Sequence, residues 1–291
     1  MRGKYILKQA EYFLKKIRMC FLNKEAYKIR KCRDNGVETV SSIRSPVTFN
    51  EKLINQMIYV RDDRMEFLSN KLGVRCYIEK TIGAEYLVPI LGVFKSVREI
   101  NFDLMPNKYV LKCNHDSGSV VIIKNKNEID IESLILKFEA SKSKNLYYVT
   151  CESQYRNIEP LVICEKLIPK GNGKLIDVIR VHCFHGVASF YEVDIIDDCG
   201  NEYINLYDSN LNHLDVKIHK YENYEGYDFA CMIPSNISAL SGKISNIFEY
   251  CRVDWLVSEA RIYFSEITFT PYAGCMKFNP ENYDYVFGER W

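Results

Sequence analysis

Residues 252–274 read RVDWLVSEARIYFSEITFTPYAG, and the alternation in this stretch governs the reading of the rest of the chain. Val253, Trp255 and Val257 alternate with Arg252, Asp254 and Leu256. Tyr263, Ser265, Ile267 and Phe269 alternate with Ile262, Phe264, Glu266 and Thr268. The spacing predicts two strands with a polar break at Ser258 to Arg261. A three-residue loop, Glu259 to Arg261, would place Asp254 opposite Glu266 and Arg252 opposite Thr268, sharing a face with Cβ atoms roughly 5 Å apart. Two carboxylates so placed repel, and neither is cheaply desolvated. Something positive belongs between them: Arg252, a shared proton, or a divalent cation. Asp, Glu and a Thr hydroxyl offer only oxygen, which suits a hard ion such as Mg²⁺ that takes its remaining ligands from water and nucleotide phosphates. A solvent-facing hairpin whose acids pair with Arg252 and Arg261 would carry the same residues.

Composition bounds the alternatives. At 291 residues, 47% hydrophobic and 26% charged, the chain has the make-up of an ordinary globular protein of one or two domains. A net charge of +1 leaves no overall footprint for nucleic acid. No apolar run reaches the roughly 20 residues of a membrane span, and no signal-peptide core opens the chain, so a cytoplasmic protein is expected. The eleven cysteines include no CxxC pair and read as buried free thiols in a reducing compartment. His182 and His185 lack the partners of a zinc pattern.

Upstream of the hairpin the chain falls into phrases. Between Met1 and Asp34 eleven Lys and Arg stand against Glu11, Glu25 and Asp34, with Ile6, Ala10, Phe13, Ile17 and Phe21 at helical spacing. Such a basic amphipathic helix fits an anionic membrane face, or simply packs on the main domain with its basic face solvated. Thr48 and Glu51 form a capping box opening a helix. Further helices are expected over about 61–72 and 74–82, with a short buried strand over 86–94. Lys108 to Lys126 reads as a hairpin whose turn, Asp116-Ser117-Gly118-Ser119, could offer N–H groups to phosphates while Lys112 points to the same charge. An unliganded turn would look alike. A helix is expected over 130–147, a buried strand over 161–164 ending in Glu165, and a Gly-rich turn after Pro169. The run IDVIRVHCFHGVASFYEVDII reads as one strand, and its Arg180, among apolar neighbours, requires an anion. Residues 197–235, polar and tyrosine-rich, read as a loop-heavy insertion that could form an acceptor site, and Ser238 to Cys251 as a helix feeding the hairpin.

The phrases SPVTFNEKL, EYLVPILGV, YVLKCNHDSGS, QYRNIEPLVICEKL, CFHG, RVDW and SEITFTPYAGCMKFNP, in this order, resemble the ATP-grasp superfamily. Within it the chain resembles the TupA-like ATP-grasp proteins of bacterial surface-polysaccharide gene clusters, from about Pro46 to Gly288. The resemblance implies an α+β fold in which two α+β subdomains hold ATP between them. It divides the chain into a basic helical segment (1–45), an N-terminal subdomain (46–107), a small ATP-grasp subdomain (108–169) and a C-terminal core with the metal site (170–291). It implies that Lys112 contacts phosphate and that the turn with His115, Ser117, Gly118 and Ser119 closes over the phosphates. Glu165 and Leu167 inherit the adenine hinge, and Lys71 an earlier phosphate-binding position. Asp254, Glu266 and Thr268 resemble the Mg²⁺ ligands, with Thr268 standing where the family usually has Asn. Arg252 and Arg180 resemble the cations that face the transferring phosphoryl group.

The activity so implied is an ATP-dependent carboxylate–amine ligase, forming an amide through an acyl phosphate. Its expected setting is modification of a capsule, O-antigen or teichuronopeptide-type polysaccharide, with a small-molecule or glycan carboxylate and an amine as partners. A glycosyltransferase using a nucleotide sugar, or a non-catalytic nucleotide- or glycan-binding protein, are the alternatives.

Overall fold

A computed structural model describes residues 2–169, 176–258 and 261–291, without the side chains of 2–10 and 177. The expected Gly-rich turn after Pro169 and Glu259 of the hairpin loop lie outside the described residues. In chain order come α1 (Arg2–Phe21), α2 (Lys24–Asp34), α3 (Phe49–Tyr59), α4 (Asp63–Ser69), α5 (Gly73–Thr81), β1 (Ile90–Phe94), β2 (Tyr109–Cys113), β3 (Val121–Ile123), α6 (Ile131–Lys142), α7 (Leu146–Thr150) and β4 (Val162–Lys166). They are followed by β5 (Ile176–Phe184), β6 (Val187–Ile196), β7 (Glu202–Asp208), β8 (His213–Leu214), β9 (Lys217–Ile218), α8 (Ile237–Ser245), β10 (Tyr250–Val257), β11 (Ile262–Thr268), β12 (Phe278–Asn279) and α9 (Tyr283–Gly288). The chain divides into two compact units: unit 1 (Met1–Asn23, Arg61–Val74, Val88–Ile168) and unit 2 (Lys24–Val60, Arg75–Leu87, Pro169–Trp291).

Unit 1 is built on an antiparallel sheet of order β1-β4-β2-β3. Leu134 and Phe138 of α6 join Tyr109, Leu111 and Cys113 of β2 and Val162 and Cys164 of β4 in its core. The single helix expected over 130–147 is two. Asn145 caps α7 by accepting from Tyr147 N (2.9 Å), and its amide donates to the carbonyls of Tyr155 and Arg156 (2.8 and 2.9 Å). A short amide side chain that bonds the neighbouring backbone in this way competes with a continuous helix.

Unit 2 carries an antiparallel sheet of order β11-β10-β5-β6-β7-β8. The run 176–196, read above as one strand, turns back at His185 and Gly186, whose φ values of 50° and 80° form a two-residue hairpin turn. Residues 197–235 are not only loop: β7 is paired on both sides and buries Ile204, Asn205, Leu206 and Tyr207. The helix expected up to Cys251 ends at Ser245, and Tyr250 and Cys251 already belong to β10.

The hairpin of β10 and β11 has the expected register at its acids but reaches it differently. Val257 pairs with Ile262, which leaves a four-residue loop, and a bulge at Ser265 restores Asp254 opposite Glu266 and Arg252 opposite Thr268. Without the bulge the acids would be offset by one residue, and Glu266 would turn to the other face.

Alternation gives the two faces of this sheet different characters. One face buries Trp255, whose indole N–H donates to Ser241 of α8 (2.9 Å). The other begins as an aromatic core, where Phe49 of α3 packs among Phe184, Phe190 and Tyr250 and Phe190 stacks on Phe287 of α9. Further along the strands that same face turns ionic. The capping box fixes α3: Glu51 N donates to the Thr48 hydroxyl, and the Glu51 carboxylate accepts from the N–H groups of Ser41, Ser42, Val47 and Thr48 at 2.7–3.2 Å. Asn50 then clips the segment after β11 through paired bonds to the Met276 backbone (2.7 and 2.8 Å).

Candidate functional site

The ionic part of the unit 2 face draws on four adjacent strands. Register sets Arg252 beside His182 and Asp254 beside Arg180, and Arg180 in turn opposite Glu192. Arg252 closes on Asp254 with Nε to Oδ1 at 2.8 Å and Nη2 to Oδ2 at 2.7 Å, and reaches the Thr268 hydroxyl at 3.4 Å. Arg180 is ion-paired with Asp194 and lies 3.4 Å from Glu192 and 3.8 Å from Asp254. The anion that Arg180 requires is thus three carboxylates. Arg261, the other candidate partner for the acids, instead donates to the Tyr263 hydroxyl (2.8 Å) and lies over that ring. Asp254 is buried and Glu266 half-buried, so the hairpin does not simply face solvent.

Beneath the acids runs a hydrogen-bonded chain that sequence reasoning missed. His182 Nε2 is 2.6 Å from Glu192 Oε1, Tyr250 OH is 2.9 Å from His182 Nδ1, and Tyr272 OH donates to Glu192 Oε2 at 3.4 Å. Burial lowers the His182 pKa to about 4, so the ring is neutral at pH 7. With Nε2–H donating to Glu192, Nδ1 accepts from Tyr250. Burial pushes the Glu192 carboxyl up, but His182, Arg252 and Arg180 outweigh it and hold it at about 2. Burial, with Glu192 and Asp254 nearby, raises Asp194 to about 7 against the pull of Arg180. Burial also raises Asp254, opposed by Arg252 and assisted by Glu266. Tyr272 reaches the cluster from a loop in which Tyr272, Ala273 and Gly274 take φ values of 50°, 51° and 72°. The only signal for these residues was the in-strand spacing of Glu192 and Asp194, which places both on the face of Arg180.

The face is rich in oxygen donors. Four carboxyl groups, Glu192, Asp194, Asp254 and Glu266, share this face with two guanidiniums, Arg180 and Arg252, while neutral His182 adds no charge and Asp194, held at about 7, is only partly ionised at pH 7. The donors are carboxylate and hydroxyl oxygens, and each carboxylate oxygen keeps a second lone pair after bonding an arginine. A divalent hard cation such as Mg²⁺ fits that donor set.

Unit 1 gathers the other residues singled out from sequence. Lys112 Nζ is 2.6 Å from Glu165 Oε2, so these two pair with each other across β2 and β4. Lys71 donates its ammonium to the Asp116 carbonyl (2.7 Å) and its N–H to the Asn114 carbonyl (3.0 Å). Asn114, not singled out beforehand, roots the turn by accepting from Leu161 N (2.7 Å) and donating to the Glu159 carbonyl (2.9 Å). The Ser119 hydroxyl accepts from Cys113 N (2.8 Å) and donates to Asp116 (2.6 Å), while Ser117 and Gly118 stand exposed at the tip. Gly118 has φ +88°, and nothing lies within 4 Å of where a Cβ would be, so this glycine serves the backbone turn. His115 is buried, which lowers its pKa, with Nε2 at 3.2 Å from the Lys144 carbonyl. Cys113, His115 and Asp116 bring three potential ligand atoms within 4.8 Å of one another, a grouping the sequence reading did not make. Leu167 follows β4, half-buried.

The profile of the family described as TupA-like ATPgrasp matches residues 51–291. The chain belongs to the TupA-like ATP-grasp family. Its fold is accordingly the α+β ATP-grasp fold, with unit 1 and unit 2 each carrying one of the antiparallel sheets. Among solved structures, the ATP-grasp ligase PsnB complexed with a minimal precursor is similar at 9% identity and TM-score 0.43, over 78% of this chain and 60% of that one. D-alanine–D-alanine ligase from Bacillus anthracis complexed with ATP is similar at 16% identity and TM-score 0.39, over 70% and 54%. L-amino acid ligase from Bacillus licheniformis is similar at 10% identity and TM-score 0.41, over 77% and 43%. This ATP-grasp chain therefore spans at most 60% of the length of each of them. No curated protein matches it.

Proposed function

We propose that this chain is an ATP-dependent carboxylate–amine ligase. The observation that carries the reading is the unit 2 sheet face, where Asp254, Glu266 and Thr268 offer oxygen donors beside Arg252 and Arg180. In the proposed reaction a substrate carboxylate oxygen attacks the γ-phosphorus of ATP, giving an acyl phosphate and ADP. An amine nitrogen then attacks the acyl carbon, phosphate leaves, and the nitrogen loses a proton, so the products are amide, ADP and phosphate.

Asp254, Glu266 and Thr268 would hold Mg²⁺, which when bound supplies positive charge to phosphate oxygens. Arg252 and Arg180 stabilise charge as it spreads over the transferring phosphoryl group, and being locked by carboxylates they need no reorganisation at that moment. Glu192 and His182 position Arg252 and Arg180 from below. In unit 1, Lys112 and Lys71 take phosphate oxygens, and the turn holding His115, Ser117, Gly118 and Ser119 covers the phosphates and excludes water. Glu165 orients Lys112 and, with Leu167, takes the adenine side. The carboxylate is that of a uronic acid in a surface glycan or of an amino acid joined to it, and the second substrate is an amino acid or another amine.

The test is an ADP-release screen with Mg·ATP over uronic and amino acids paired with amines. The expected result is release that requires both a carboxylate and an amine and that falls at least about a hundredfold in Arg252→Ala and in Asp254→Ala. Unchanged release in both variants overturns the assignment, as does turnover of nucleotide sugars without ADP release.

A further inference from the structure

Helix α1 packs against α7 of unit 1. Tyr12 packs edge-on against Tyr148 of α7 (centroids 6.2 Å), the Lys16 ammonium lies 5.1 Å and 5.3 Å over those two rings, and Met19 is buried. The other side is apolar and uncovered: Phe13 is 62% exposed, Leu14 64%, Ile17 45% and Phe21 87%. At 3.6 residues per turn these four side chains fall within an arc of about 100°, with Tyr12 and Met19 roughly opposite. The stripe is therefore not the face that packs against α7.

We propose that this stripe docks the protein on the surface of an anionic phospholipid bilayer. Charge selects that occupant. Over residues 1–23 the sequence has Arg2, Lys4, Lys8, Lys15, Lys16 and Arg18 against Glu11 alone. A second copy docking through the same helix would bring two strongly basic segments together, whereas anionic headgroups neutralise them. Phe and Leu on one face with Lys and Arg around it is the arrangement of a helix lying in the plane of the interface. Among the described residues no helix is long and apolar enough to cross a membrane.

The experiment is co-sedimentation of the full chain with vesicles of phosphatidylglycerol mixed with phosphatidylcholine, and with phosphatidylcholine alone. The expected result is partitioning at least about tenfold stronger to the anionic vesicles, weakening as salt rises. The double variant Leu14→Glu, Phe21→Glu should lose that partitioning while keeping the parent's melting temperature, because neither side chain is in the core. Partitioning unchanged in the double variant overturns the proposal. So does failure to bind either vesicle, including the case where the parent dimerises through the stripe and the double variant is monomeric.

Discussion

The guanidinium of Arg252 holds both oxygens of the Asp254 carboxylate, at 2.8 Å and 2.7 Å, on a strand where both residues are buried. Removing one partner leaves the other charged and desolvated. Arg252→Met should therefore lower unfolding free energy by about 3 to 5 kcal/mol, as for other broken buried pairs. Urea denaturation of the variant measures it, and Mg²⁺ in excess should recover part of the loss by taking the place of the missing positive charge.

Asp194 and His182 give the site opposing responses to pH. His182 is held at about 4, below its ordinary 6.5, so its contribution is present above about 6.5 and lost as pH falls toward 4. Asp194 is raised from 3.8 to about 7, so its contribution is present at low pH and lost as pH rises through 7. Asp194→Asn removes the second arm alone. Urea midpoints at pH 5 and pH 8 should fall with rising pH more in the parent than in Asp194→Asn.

Glu51 is ionised by design of its surroundings: burial pushes its carboxyl up, but the N–H groups of Ser42, Val47, Ser41 and Thr48 outweigh this and hold it below the usual range. Its stabilising contribution is present above the ordinary carboxylate pKa and disappears as pH falls through the lower, folded-state value. Glu51→Ala leaves several buried donors unpaired and should cost at least about 2 kcal/mol. Calorimetry reads the loss, and turnover per folded molecule should stay at the parent value because Glu51 lies outside the ionic face.

In unit 1, Lys112 is paired with Glu165 at 2.6 Å rather than standing alone. If Glu165 serves to aim the ammonium at phosphate, Glu165→Gln should raise KM for ATP more than it lowers kcat, and Lys112→Met should depress both. Steady-state ADP release at varied ATP separates the two. Equal effects of both variants on KM and kcat would contradict the division of labour.

Several of these residues are legible in the sequence alone. Asp254, Glu266, Arg252 and Thr268 follow from period-two alternation across a short hairpin, and Thr48 with Glu51 from a local capping pattern. Local rules did not reach the bulge at Ser265, which compensates for a loop one residue longer than assumed. The turn at His185–Gly186 was hidden because Val187 onward continues the apolar alternation of the preceding strand. Glu192, His182, Tyr250 and Tyr272 were missed for a different reason. Their partnership is set by pairing of β5 with β6 and β10 and by a loop with three successive left-handed residues, all of them non-local relationships. A lone histidine in an apolar run carries no sign of a carboxylate ten residues on.

With Arg252 and Arg180 already beside Asp254, the proposed role of Glu266 is to complete with it the site of a metal that nucleotide phosphate shares. The most direct measurement is calorimetric titration of a non-hydrolysable ATP analogue into the parent and into Glu266→Gln, each with and without Mg²⁺. The account predicts that Mg²⁺ strengthens binding by at least about tenfold in the parent and by much less in Glu266→Gln, whose fold is otherwise retained. An equal gain from Mg²⁺ in both proteins, or tight binding in the parent that ignores the metal, would contradict it.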